Sequence, residues 1–79
     1  MTHTEIKQKI MEELGIGHNY AQLYMKKLKA MMYLNRRAIS DFSAKYTNAG
    51  NEVTFTITSC GETIVQTMPV IRWADRNNI

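Results

Sequence analysis

Residues 53–58, Val-Thr-Phe-Thr-Ile-Thr, alternate an apolar side chain with a threonine at every step. Successive side chains of an extended strand point to opposite faces, so Val53, Phe55 and Ile57 share one face and Thr54, Thr56 and Thr58 the other. The pattern predicts a half-buried strand over about 52–59 and argues against an all-helical chain. Cys60-Gly61-Glu62 reads as a tight turn into a further strand over about 63–72, where Pro69, having no N–H, is restricted to a sheet edge. On the other side, Thr47-Asn48-Ala49-Gly50-Asn51 has loop composition. Before it, AISDFSAKY at 38–46 serves either period, because Ala38, Phe42 and Ala44 fit a strand or a short extra helix. The strand reading is adopted, which gives a three-stranded antiparallel meander.

Upstream of residue 37 the hydrophobic period changes. Ile6, Ile10 and Leu14 recur every four residues behind Thr4, a suitable N-cap, and Gly15 supplies the stop, so a helix is expected over about 4–14. After a very short turn, Ala21, Tyr24, Met25, Leu28, Met31 and Met32 gather on one side of a second helix. His18, Asn19, Gln22, Lys26, Lys29, Tyr33, Arg36 and Arg37 gather on another, which predicts a long amphipathic helix over about 18–36. The fold class expected is α+β: two N-terminal helices and then the meander, in a single domain spanning residues 1–79.

The chain has 79 residues, 44% of them hydrophobic, enough for one small core. One cysteine, Cys60, cannot close an internal disulfide, and no Cys/His cluster offers the ligands a structural zinc requires. Neither metal nor cofactor is expected. No apolar run approaches the ~20 residues of a membrane span, and MTHTEIKQKI lacks the apolar block of a secretory signal, so a cytoplasmic setting without membrane contact is expected.

The net charge of +3 is concentrated in one place. Leu14 to Ser40 contains no acid, while Lys26, Lys27, Lys29, Arg36 and Arg37 give that segment +5. A cluster of this kind suits an anionic partner, nucleic acid or an acidic protein surface. Catalytic constellations are nearly absent. His3 is expected in a frayed terminus, His18 stands at a helix start, and no carboxylate is spaced to orient either as a base. Nothing near Cys60 in sequence would lower its pKa, and Gly15-Ile16-Gly17 is too short for a phosphate loop. The chain is therefore read as a non-enzymatic binding protein.

Residues 10–28, IMEELGIGHNYAQLYMKKL, place a helix ending in Leu14, a turn on Gly15, an apolar Ile16, and a second helix whose inward positions include Ala21 and Tyr24. With Ile10, these residues resemble the helix-turn-helix of DNA-binding proteins, and the following strand pair resembles the wing of winged-helix proteins. The resemblance implies a transcription regulator with residues 18–36 as recognition helix. His18, Asn19 and Gln22 would then face base edges of double-stranded DNA, and Lys26, Lys29, Arg36 and Arg37 would meet phosphates, with Tyr33 on the same face. Lys45, Asn48 and Asn51 would sit on or beside the wing. A homodimer is expected under this reading, because one module buries little surface on DNA. The alternative expectation is a small inhibitor from a phage or mobile element, of the anti-CRISPR or anti-defence type, that docks on a host protein complex through the same basic helix.

Overall fold

A computed structural model describes residues 1–31 and 38–72. Two helices, α1 (His3–Leu14) and α2 (His18–Ala30), precede three strands, β1 (Ile39–Thr47), β2 (Glu52–Ser59) and β3 (Glu62–Pro69). The strands form one antiparallel sheet in the order β1-β2-β3, and both helices cover the same face of it. The α+β arrangement of two helices and a three-stranded meander is the one the periodicities predict.

The start of α1 departs from the expected one. The helix begins one residue early, at His3, and Thr2, not Thr4, is its N-cap. The Thr2 hydroxyl accepts from the Glu5 N–H at 3.1 Å, and the Glu5 carboxylate accepts from the Thr2 N–H at 2.9 Å. Only Thr2 has a glutamate three residues on, so only there can this reciprocal box close. Those two Thr2 groups, the backbone N–H first, hold the Glu5 carboxyl below the usual carboxylate range. At the other end Gly15 takes the left-handed conformation (φ 65°), and the Gly15 and Ile16 N–H groups both donate to the Met11 carbonyl. A glycine meets that φ without steric cost, which makes the turn into α2 short.

α2 is described over His18–Ala30, with Met31 as C-cap and its N–H on the Lys27 carbonyl. Leu28 is its last buried residue, Lys27 and Lys29 lie in a terminal turn where cations are favoured, and Met31 is 43% exposed instead of joining the apolar stripe. Residues 32–36 of the expected helix, and Trp73 with the tail 74–79, lie outside the described residues.

Along β2 burial alternates as the threonine pattern requires: Val53, Phe55 and Ile57 have no accessible surface, while the threonines face away from the helices. Cys60 (φ 51°) and Gly61 (φ 81°) make a two-residue turn with both central residues left-handed, and Ser59 pairs with Glu62 across it. β3 ends at Pro69, three residues earlier than expected. In β1 the register slips between Ile39 and Asp41, a bulge that brings Ile39 and Phe42 to the same buried face three residues apart. That spacing is why 38–46 fits a helical period as well as a strand.

Phe55 is the centre of the core. The Tyr24 ring meets it edge-on at 5.6 Å and Phe42 lies 5.7 Å away on its other side. Ile6, Ile10 and Leu14 of α1, and Ala21, Met25 and Leu28 of α2, complete the helix side. The Tyr24 hydroxyl accepts the buried N–H of Ile71 at 2.9 Å, which ties α2 to the segment leaving β3, and burial pushes the Tyr24 phenol up. Tyr24→Phe keeps the ring but orphans a buried donor, so urea denaturation should show a loss of ~1–3 kcal/mol. A loss under ~0.5 kcal/mol would mean that Ile71 finds water and the tie is not structural.

Candidate functional site

On α2 the buried positions Ala21, Tyr24, Met25 and Leu28 take one side and the exposed positions His18, Asn19, Gln22, Lys26 and Lys29 another. The structure thus brings five of the expected site residues onto one solvent-facing stripe. Tyr33, Arg36 and Arg37 fall outside the described residues.

The wing candidates are placed elsewhere. Lys45 follows the inward Ala44 on β1 and is exposed in a row with Thr54 and Thr67, on the sheet face opposite the helices. Asn48 and Asn51 build the β1–β2 turn. Asn48 is left-handed (φ 52°) and its carbonyl accepts the Asn51 N–H at 3.1 Å. The Asn51 carbonyl accepts the Val70 N–H at 3.1 Å, and its side-chain oxygen accepts from the Arg72 guanidinium at 3.2 Å.

Between the helices lies an open cleft of about 300 Å³. His3, Thr4 and Lys7 of α1 line one wall and Gln22, Leu23, Met25, Lys26 and Lys29 of α2 the other. His3 is the first residue of α1, not part of a frayed end. Leu23 is half-buried and packs against the core from the cleft wall. Among the described residues no carboxylate lines the cleft. Glu5 and Glu12 project from α1 roughly half a turn away from Lys7, and each has a partner of its own: Glu5 in the cap and Glu12 on the Gln8 amide at 3.2 Å. Glu13 faces β1, where it accepts the Ala44 N–H at 3.0 Å and pairs with Lys9 at 3.8 Å. The acids of α1 are thereby kept off the cleft wall, and the described lining combines the ammonium groups of Lys7, Lys26 and Lys29 with the His3 ring, the Thr4 hydroxyl, the Gln22 amide and the apolar Leu23 and Met25.

No family model, curated protein or solved structure matches the chain. Among the described residues no group of three or more His, Cys, Asp or Glu side chains is placed to hold a metal ion, and no helix is long and apolar enough to cross a membrane. The candidate site is therefore defined by its own chemistry: a concave cationic surface, flanked by the hydrogen-bonding side chains of Asn19 and Gln22.

His3 and Lys7 were not legible as site residues, because they stand some twenty residues before Lys26 in a segment whose own net charge is negative. Only the docking of α1 against α2 brings them beside Lys26 and Lys29. A like-charged cluster of this kind repels itself in the empty protein. Lys26→Gln should therefore leave stability unchanged or raise it by ~0.2–0.5 kcal/mol at low salt, with the difference vanishing in about 0.5 M salt. Thermal melts at the two salt concentrations measure this. A loss above ~1 kcal/mol would make Lys26 a structural residue and not part of a binding surface.

Proposed function

We propose that the protein is a small, non-enzymatic DNA-binding regulator that presents the polar face of α2 to a duplex and holds phosphates with the cations of the interhelical cleft. The observation that carries this reading is the convergence of His3, Lys7, Lys26 and Lys29 on one concavity beside Asn19 and Gln22, with no carboxylate among its described lining residues. Cations meeting phosphate release counterions and supply affinity without regard to sequence. The amides of Asn19 and Gln22 match the donor–acceptor pair that adenine shows in the major groove, and His18 lies beside them at the amino end of the helix. In this reading Lys26 and Lys29 position the helix while Asn19 and Gln22 select sequence. Asn48 and Asn51, on the turn between two strands, serve as the wing.

One observation favours a second reading, an inhibitor that docks on an acidic surface of a host protein complex. Leu23 stands half-buried among the cleft cations, and an apolar centre rimmed by charge is common anatomy for a protein interface.

Fluorescence anisotropy with labelled duplexes at about 50 and 200 mM salt separates the two. Under the DNA reading, Lys26→Ala and Lys29→Ala each lower affinity on every sequence and reduce the salt slope by about one, whereas Asn19→Ala and Gln22→Ala change preference at single base positions by ~1–3 kcal/mol. Wild-type protein that binds no duplex even at the lower salt removes the DNA reading.

A further inference from the structure

The two edges of the sheet are treated differently. On β1 three outward backbone groups are occupied: the Phe42 N–H donates to the Asp41 carboxylate at 2.9 Å, the Ala44 N–H to Glu13 at 3.0 Å, and the Met1 amino group donates to the Ile39 carbonyl. α1 packs along this strand. An arriving strand would have to displace two carboxylates to pair there.

On β3 the neighbouring Gln66 side chain donates to the outward Thr67 carbonyl, and among the described residues no element other than β2 packs along the strand. The two-residue turn at Cys60-Gly61 makes Ser59 and Glu62 a hydrogen-bonded pair, so every second residue from Glu62 directs its backbone to β2. The Val70 N–H on the Asn51 carbonyl, at 3.1 Å, keeps the same phase. It follows that Thr63, Val65 and Thr67 direct their N–H and C=O groups outward, at the free edge. Between Thr63 and Pro69 the strand carries no charge, and Val65 is 61% exposed, the most of any large apolar side chain described. A long, uncharged, apolar edge is a template for strand pairing.

We propose that the β3 edge is a self-association surface, where two copies pair antiparallel about a two-fold axis through Val65 to make one six-stranded sheet. The register follows from the residues. With Val65 opposite Val65 of the second copy and Thr63 opposite Thr67, all three outward N–H groups and all three outward carbonyls of each strand find partners. The Thr67 carbonyl, which accepts from the Gln66 side chain at 3.1 Å, retains a second lone pair for this. Sliding the pair toward Pro69 sets a residue without N–H against a carbonyl, and sliding it toward Gly61 runs off the hairpin. The two Glu62 carboxylates stand at opposite ends of the joint strand pair, so they do not oppose each other.

The closed β1 edge decides the occupant. With β1 blocked, pairing of β3 on β1 in an endless ribbon is prevented, and the isologous contact ends at two copies. A two-fold axis normal to the sheet puts both helix layers, and both cationic clefts, on one side. Two cationic surfaces would then face one extended anion, although the association itself does not depend on what the cleft binds.

Sedimentation equilibrium without nucleic acid, from about 5 to about 500 µM, tests this, since an edge contact is small and its dimer is concentration-dependent. A monomer–dimer equilibrium is expected, with no higher species. The amides of Thr63 and Thr67 should exchange more slowly at the high concentration than at the low one. Val65→Lys, which sets two like charges opposite each other on the exposed face, should weaken association by about tenfold or more while circular dichroism stays unchanged. A monomer throughout the range overturns the proposal, as does a dimer that Val65→Lys leaves intact and in which those amides gain no protection.

Discussion

The contact between Tyr24 and Phe55 holds the two layers of this protein together. A three-stranded sheet has one face to bury, and Phe55, at the middle of the central strand, is where that face is deepest. The Tyr24 ring closes over it from α2 while the hydroxyl satisfies the Ile71 N–H. One side chain therefore fixes the height of α2 above the sheet and the path of the chain after Pro69. α1 is fixed independently, by Ile6, Ile10 and Leu14 and by the hydroxyl of Tyr46, which donates to the Leu14 carbonyl at 2.8 Å. The cleft is the space left between two helices positioned by different strands.

The elements that local periodicity controls were legible before any coordinates. Alternation on β2 and the four-residue spacing in α1 each come from burial on one face, and burial writes its period directly into the residues. The ends of elements were less legible. Whether Thr2 or Thr4 caps α1 turns on a glutamate three positions away, which the spacing of the apolar residues does not report. The bulge at Ile39–Asp41 hid the period of β1 by shifting one apolar residue by one step.

The candidate site divides in the same way. The stripe of His18, Asn19, Gln22, Lys26 and Lys29 was legible from helical angles alone. The contribution of His3 and Lys7 was not, because it arises from packing, and neither was the placing of Lys45 on the far face, since that depended on which face of β1 the helices would cover. Glu13 shows how packing reassigns charge: the same carboxylate that lowers the net charge of α1 is spent on a sheet edge, away from the cleft. The separation of Glu13, held at β1, from Lys7, in the cleft, is thus a product of the fold.

If the helix layer is the binding face, an anionic polymer should perturb it and leave the threonine face alone. The direct measurement is a two-dimensional amide NMR titration of the protein with a short DNA duplex. The expected result is progressive shifts at His3, Lys7, His18, Asn19, Gln22, Lys26 and Lys29, with Thr54, Thr56 and Thr58 unmoved. Shifts confined to the sheet threonines, or none anywhere at saturating duplex in low salt, would contradict the account.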